Sequence, residues 1–436
     1  MTLSQMITLA VLAAVVVALI WDRVRSDVVA LTGAAVLLIT GVLRPVEVQG
    51  AFASPAIIAL ASLFVIAYAM ERSGLLDAAI QQMTRLCRKI GRAGLWLMIG
   101  VCGVASAFLN NTPIVVLGAP VIRDVARSLG LSPKPFLIPL SYAAVLGGCC
   151  TLIGTSTNLL VNDMASVAGQ PRFSIFEITP VGVLVGLAGA VYLVIFSPLL
   201  IRDAPSETID PDFNQLAAEP GLAGGQVGSA QSFAEQVPLR PLPAILAATV
   251  FIGVVALAAL DVAPIAACAF AGAVLLILLR VLTAEEAYSG LRPEVLMLIA
   301  GMVVLGLALD VTGLATAVTD GLILSLDGLS PLAALIIIYA VTLIATEILS
   351  NATVAVLFTP IAVSLAEALS VSPRPFLVAV MVAGSAAFAT PFGYQTNVLV
   401  YQMGGYNYLD FVKIGIPLNV ITGIVAVAAI YVYFPF

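Results

Sequence analysis

The chain has 436 residues, of which 61% are hydrophobic and only 10% charged, and its mean hydropathy is +1.13. A soluble domain carries about 25% charged residues, so this composition is that of an integral membrane protein with many helical spans. A net charge of -6 offers no basic face to a nucleic acid, and the complete lack of histidine excludes His-based triads, His proton relays and His metal sites.

Apolar runs predict spans at about 4–21, 28–44 and 54–71. The first lacks the basic start of a signal peptide; its positive charges, Arg23 and Arg25, come after the apolar run, so it stays as a span. A basic amphipathic stretch follows at about 75–92, with Arg85, Arg88, Lys89 and Arg92, and is expected in the membrane interface. Two shorter apolar pieces, about 94–109 and 113–130, flank Asn110-Asn111-Thr112. Span four, about 136–168, is broken near Gly154 to Asn158, and span five is about 176–200. A polar stretch rich in Gly, Pro, Ala and acidic residues, 202–240, separates this half (1–201) from the next (241–436) and reads as a cytoplasmic linker. Spans six to eight fall at about 241–260, 263–282 and 294–311. Pieces at about 332–349 and 353–370 then flank Ser350-Asn351-Ala352. Span nine, about 376–405, is broken near Thr390 to Asn397, and span ten is about 412–434. Cys87, Cys102, Cys149, Cys150 and Cys268 lie mostly in apolar runs and read as small packing residues, without metal-ligand spacing.

With both termini outside and the paired short pieces re-entering from one side, only Arg44, Arg172 and Arg374 of the 18 Lys and Arg fall outside. That bias fits the positive-inside rule. It fits two re-entrant hairpins and two pairs of complete spans equally, because both return the chain to the same side.

The first half contains S-A-F-L-N-N-T-P, then L-S-P-K-P-F-L, then I-G-T-S-T-N-L-L-V. The second contains T-E-I-L-S-N-A-T, then V-S-P-R-P-F-L, then G-Y-Q-T-N-V-L-V. Asn111 matches Asn351, Pro120 matches Pro360 and Phe136 matches Phe376 at one constant offset; the offset then shortens by one residue, so that Thr157 and Asn158 match Thr396 and Asn397. This is an internal duplication. An odd number of full spans separates the two tripeptides, so the halves run in opposite directions through the membrane. The fold expected is an all-α polytopic membrane protein of two inverted-topology repeats. It has about ten transmembrane helices, two re-entrant helical hairpins (about 94–130, opening from the cytoplasm, and 332–370, opening from outside) and two broken helices. Such repeats suit alternating access.

A helix break in hydrocarbon must face protein, water or ligand. Its carbonyls and side-chain oxygens suit a dehydrated alkali cation, and the free N–H groups of a helix N-terminus suit an anion. The candidates are Ser106, Asn110, Asn111, Thr112, Gly154, Thr155, Ser156, Thr157 and Asn158, and in the second half Thr346, Ser350, Asn351, Thr353, Thr390, Gln395, Thr396 and Asn397. Singly, such residues also glue helices together; their paired recurrence favours a site. Glu347, one turn before Ser350, has no basic neighbour in sequence, and its repeat partner is Ala107. A carboxylate there is costly. It is a candidate for binding a coupling cation, carrying a proton or pairing with a distant Arg, or else a neutral group bonded to backbone. No intramembrane Arg or Lys is evident for a substrate, and no nucleophile–base pair suggests an enzyme.

At these motifs the chain resembles the divalent-anion/sodium symporter family of the ion transporter superfamily, over essentially its whole length. That family carries Ser-Asn-Thr at both hairpin tips, where this chain has Asn110-Asn111-Thr112 and Ser350-Asn351-Ala352. The resemblance implies one transported sodium ion at Ser106, Asn110, Asn111 and Gly154, and a second at Thr346, the Leu349 carbonyl, Asn351 and the Ala389 carbonyl. It implies a small anionic substrate near Asn110, Asn111, Thr112, Gly154, Thr155, Ser156, Ser350, Asn351, Thr353, Thr390, Thr396 and Asn397, with no organic cofactor. It also implies a homodimer in a bacterial-type plasma membrane whose transport domains move like elevators. The broken loops, G-T-S-T-N and T-P-F-G-Y-Q-T-N, depart from the Thr-Pro-Pro-Asn of dicarboxylate members and resemble the sulfate-permease branch, many of whose members carry regulatory domains between the halves. The function expected is sodium-coupled import of a divalent anion, sulfate ahead of C4-dicarboxylates. The alternative is a cation/proton antiporter using Glu347, and a channel or membrane receptor is a third class.

Overall fold

A computed structural model describes residues 2–21, 23–201, 238–260, 262–317 and 330–436. Among the described residues every regular element is a helix. Proline sets many of the starts: Pro45, Pro55, Pro241, Pro293 and Pro331 stand in first turns, where the missing N–H removes no helix bond. Ser54, Thr155, Thr283, Ser330 and Ser350 cap other orphan N–H groups with their hydroxyls.

The first half runs α1 Leu3–Trp21, α2 Ser26–Ile39, α3 Pro45–Phe52, α4 Pro55–Arg72, α5 Leu75–Ile90, α6 Arg92–Ser106, α7 Asn111–Ser128, α8 Lys134–Gly148, α9 Ser156–Val167 and α10 Thr179–Leu200. The second runs α11 Pro241–Ala259, α12 Ile265–Leu278, α13 Ala284–Gly290, α14 Pro293–Val311, α15 Pro331–Thr346, α16 Asn351–Ala368, α17 Arg374–Ser385, α18 Gln395–Gly404 and α19 Tyr408–Tyr433. Among the described residues, six stretches are long and apolar enough to cross a membrane: Pro45–Arg72, Thr179–Leu200, Pro241–Ala259, Pro293–Val311, Asn351–Ala368 and Tyr408–Tyr433. Shorter apolar helices accompany them.

The halves repeat each other helix by helix: α11–α14 follow the order of α1–α4, and α15–α19 that of α6–α10. The backbone repeats too. Gly41 (φ 72°) and Gly130 (φ 69°) have positive φ, and so do their counterparts, Arg280 (φ 56°) and Ser370 (φ 54°). An L-residue in that left-handed conformation costs about 1–2 kcal/mol, so the second half keeps the duplicated turn geometry despite the wrong residue for it.

Two features differ from expectation in both halves. The short helices α3 and α13 lie just before the long helices α4 and α14. At the start of α3 Glu47 accepts from the Arg44 N–H, and α13 opens with a full capping box, in which Glu286 accepts from the Thr283 N–H and Thr283 Oγ1 from the Glu286 N–H. The broken helices part earlier than the polar motifs suggest, over 149–155 and 386–394. Thr157 and Asn158, like Thr396 and Asn397, therefore stand in the first turn of the helix after the break. Just before the first break α8 crosses α6 so tightly that a Cβ on Gly147 would lie 1.8 Å from the Gly103 carbonyl. The expected linker, 202–240, lies outside the described residues apart from 238–240. The basic stretch is helix α5, and it packs on α4, α6 and α7.

The halves interlock. α2 packs on α14 as its counterpart α12 packs on α4, and α7 packs on α18 as α16 packs on α9; α10 packs on its own counterpart α19. Each polar break is thereby set against a hairpin helix of the other half, inside the core formed by residues such as Tyr142, Phe376, Phe388 and Phe411. The cysteines are free thiols, and all but Cys150 are buried.

Candidate functional site

The first tip lies between the last residue of α6, Ser106, and the first of α7, Asn111, which are 0% and 1% exposed. Ser106 Oγ donates to Asn111 Oδ1 at 2.5 Å. The adjoining break is tied to this tip, because Thr151 Oγ1 donates to the Ala107 carbonyl. Two glycines make the approach possible. A Cβ on Gly154 would stand 2.5 Å from the Gly148 carbonyl and 2.9 Å from the Ala107 carbonyl, and one on Gly148 would stand 2.8 Å from Asn111 Oδ1. The result is a nest of oxygens from Ser106, Ala107, Asn111 and Gly148 around Gly154.

The second tip repeats this design. Thr346 Oγ1 lies 2.9 Å from Asn351 Oδ1 and 2.8 Å from the Gly384 carbonyl. Thr390 Oγ1 donates to the Glu347 carbonyl at 3.2 Å, just as Thr151 does to that of Ala107. The addition is the Glu347 carboxylate. It accepts from the Ala389 N–H (2.7 Å), the Thr390 N–H (2.9 Å) and Asn419 Nδ2 (2.8 Å). The break over 386–394 has N–H groups that no helix pairs, and the carboxylate takes two of them.

The paired asparagines after the breaks do one job twice. Asn158 Nδ2 lies 3.4 Å from the Gly148 carbonyl and 2.9 Å from that of Thr151; Asn397 Nδ2 lies 2.8 Å from the Ala387 carbonyl and 3.3 Å from that of Thr390. Each amide fastens its own break. Ser141, on α8, lies 2.7 Å from both Thr396 Oγ1 and Asn397 Oδ1, so these two candidates are engaged with the opposite half. Among the described residues, three side-chain amide atoms are buried without a partner: Asn158 Oδ1, Asn351 Nδ2 and Asn419 Oδ1.

Across the halves, Asn111 Nδ2 donates to Tyr394 OH at 2.8 Å, and Thr112 Oγ1 lies 3.5 Å from Gln395 Oε1. Tyr394 was not among the sequence candidates. It is the N-cap of α18 and occupies the place that Thr155, the N-cap of α9, holds in the first half; that alignment was the available signal. Asn110 is the N-cap of α7 without a capping bond, and Ser156 opens α9. Ser350 Oγ caps Thr353 N–H at 3.3 Å and pairs with Thr353 Oγ1 at 2.8 Å. A Cβ on Gly384 would lie 3.5 Å from Thr157 Cγ2 and 3.8 Å from Val354 Cγ1, which sets the first turns of α9 and α16 near each other. The Leu349 N–H bonds the Ala345 carbonyl at 2.8 Å, which folds the second tip. Four helix N-termini, those of α7, α9, α16 and α18, thus begin at the candidate residues and bring positive dipole ends to them. The described residues hold no group of three or more His, Cys, Asp or Glu that would suit a transition metal; the oxygens at the tips are hard, neutral donors of the kind alkali cations take.

A family model described as citrate transporter (CitMHS) matches residues 16–370 and again 348–436. An uncharacterized transporter of Synechocystis, sll0640, is 26% identical over 579 aligned positions, covering 95% of each chain. That alignment is longer than the 436 residues here, so the relative carries insertions that this chain lacks. A probable sodium/sulfate cotransporter of Chlamydomonas reinhardtii is 38% identical over 146 residues, covering 32% of this chain and 16% of the relative. The sodium-dependent dicarboxylate transporter SdcS of Staphylococcus saprophyticus is 24% identical, covering 90% of this chain and 79% of the relative. In fold, the chain is similar to the crystal structure of the Alcanivorax borkumensis YdaH transporter, with a TM-score of 0.60 at 16% identity over 89% of this chain and 88% of that one.

Proposed function

The chain belongs to the citrate transporter family, and we propose that within it the protein is a sodium-coupled symporter importing a small divalent anion, with sulfate favoured over C4-dicarboxylates. The observation that carries this reading is the duplicated hydroxyl–amide pair, Ser106 with Asn111 and Thr346 with Asn351. Each asparagine turns its Oδ1 toward a hydroxyl and leaves Nδ2 for something else: Tyr394 at one tip, no partner at the other. One sodium ion is held by Ser106, Asn110, Asn111 and the Gly154 carbonyl, the other by Thr346, the Leu349 carbonyl, Asn351 and the Ala389 carbonyl. Sodium on Oδ1 fixes the amide with its NH2 toward the space between the tips. There Asn110, Thr112, Thr155, Ser156, Ser350 and Thr353 and the four helix N-termini take the anion. Thr390, Thr396 and Asn397 shape the second wall of that pocket. One side chain thereby couples the two ligands, since its cation end sets its anion end.

Bound sodium and helix dipoles stand in for a binding arginine, which suits a tetrahedral oxyanion. The sodium/sulfate and sodium-dependent dicarboxylate relatives support coupling ion and substrate class. The halves 1–201 and 241–436 lie inverted in a bacterial inner membrane, with both termini outside. Two protomers form the transporter, and the hairpins move with the broken helices past α2, α4, α12 and α14 as an elevator. Glu347 acts as the brace of the second break. As acceptor of three N–H bonds it is already engaged, which disfavours the antiporter alternative in which it carries protons.

The test is labelled sulfate uptake by Asn111→Ala and Asn351→Ala in proteoliposomes. Each is expected to lose sodium-driven uptake while still inserting and running as a single species in detergent. Near-normal uptake by either removes the site assignment.

A further inference from the structure

The second break, 386–394, is loop backbone beside an apolar core, so its polar groups need partners. A peptide unit is planar, and its C=O and N–H turn together. The unit joining Phe388 to Ala389 is pinned at both ends. Tyr142 OH, on α8 of the other half, donates to the Phe388 carbonyl at 2.5 Å, and the Ala389 N–H donates to Glu347 at 2.7 Å. The next unit is pinned at one end only. Its Thr390 N–H donates to Glu347 at 2.9 Å, and among the described residues no hydrogen bond reaches its Ala389 carbonyl. The carbonyls of Ala387 and Thr390 are taken by Asn397 Nδ2. One carbonyl oxygen is therefore left free in a loop whose neighbouring carbonyls are all taken.

Ser141 and Tyr142 are consecutive on α8, and both are 0% exposed. The Tyr142 ring lies 4.9 Å from that of Phe388 between centroids. α19 adds to the hold, coming so near that a Cβ on Gly415 would lie 2.0 Å from the Phe388 carbonyl oxygen and 2.6 Å from Ala389 Cα. Ser141 acts one step removed. Its Oγ lies 2.7 Å from Asn397 Oδ1 and 2.7 Å from Thr396 Oγ1. An amide oxygen can only accept, so this bond fixes Asn397 with its Nδ2 toward the break. The first break is held differently. The second-half counterparts of Ser141 and Tyr142 are Met381 and Val382, whose side chains have nothing to donate. The carbonyl in the place of that of Ala389 belongs to Cys150, and Thr179 Oγ1 donates to it at 2.7 Å.

We propose that Ser141 and Tyr142 are positioning residues for one of the two sodium ions: from the first half of the chain they set the free Ala389 carbonyl at the second tip. Neither touches the ion. Tyr142 fixes the peptide unit before that carbonyl, and Ser141 fixes the amide that holds the carbonyls on either side. A cation held by neutral oxygens depends on their being held in place beforehand, so loosening this loop weakens the second ion and leaves the first alone. The inference rests on the sodium-symport reading above, in which the Ala389 carbonyl is a ligand.

The experiment is equilibrium binding of radioactive sodium to the purified full-length protein in detergent, combined with sodium titration of sulfate uptake in proteoliposomes. Tyr142→Phe keeps the ring against Phe388 and removes the donor; Ser141→Ala removes the other hydroxyl. Ser197→Ala is the control, because it deletes an equally buried hydroxyl that donates to α8 at Pro135, in the first turn, at 2.8 Å. In Tyr142→Phe and Ser141→Ala one bound sodium ion is expected to weaken about fivefold while the other keeps its affinity. Half-saturating sodium for uptake rises, and at saturating sodium the maximal rate and half-saturating sulfate match wild type. Ser197→Ala leaves sodium binding and titration unchanged. Unchanged sodium binding in both variants, or an equal weakening in Ser197→Ala, overturns the positioning role. So does a maximal rate lowered at every sodium concentration with sodium affinity intact, the result of a purely structural hydroxyl. If wild type binds no sodium, the symport reading falls and takes this assignment with it. Ser141→Ala decides the matter should Tyr142→Phe fail to fold.

Discussion

Replacing Glu347 by Gln tests how the second break is held. The carboxylate accepts from two backbone N–H groups and one side-chain amide at 2.7–2.9 Å. Glutamine keeps one oxygen but turns an NH2 toward a donor that has no other acceptor. Hydrogen bonds to a charged group contribute about 1.5–3 kcal/mol, and a stranded buried N–H costs about 1–3 kcal/mol. A net loss of about 2 kcal/mol is expected. It falls on the loop that also carries the Ala389 carbonyl and Thr390, so function suffers along with stability. Thermal unfolding in detergent should shift down by several degrees, and sulfate uptake should fall tenfold or more while still depending on sodium. An unchanged unfolding temperature would refute the brace. Loss of sodium/proton exchange in a protein that moves no anion would instead make Glu347 the coupling group of an antiporter.

Gly154→Ala is expected to abolish uptake, because its Cβ would meet two backbone carbonyls that cannot retreat; Gly253→Ala, with open space around it, leaves uptake unchanged in the same assay. Tyr394→Phe deprives Asn111 Nδ2 of its acceptor at 2.8 Å. The half-saturating sulfate concentration is expected to shift about fivefold, roughly 1 kcal/mol. Ser370→Gly relieves the positive φ that Gly130 meets freely in the first half. It should raise stability by about 1 kcal/mol without altering uptake, read as a higher unfolding temperature.

Much of this architecture was legible in the sequence because the duplication is written in residues that cannot be exchanged freely. Asn111 and Asn351 recur because each must serve a hydroxyl with one end of its amide. Gly154 was legible as a polar break and proves to be a point of contact with two carbonyls. The apolar runs gave the helices to within a few residues, since length and hydrophobicity decide them. What was illegible depended on tertiary contact. The breaks begin at Cys149 and Ala386, residues that carry no polar signal. Asn158, Thr396 and Asn397 read as free ligands, although their bonds run to their own break and to Ser141. Tyr394 was overlooked because its partner Asn111 is distant in sequence, and aromatic residues in an apolar chain usually signal packing. The starts of α3 and α13 were visible in principle, as Glu three residues after Arg44 and after Thr283, but their short helices carry no span-length run.

The most direct measurement is labelled sulfate uptake into proteoliposomes with and without an inward sodium gradient, repeated with excess unlabelled succinate. Uptake is expected to need the gradient and to be left unchanged by succinate. Competition by succinate would move the substrate to the dicarboxylates, and an absence of sulfate uptake under any gradient would contradict the symporter.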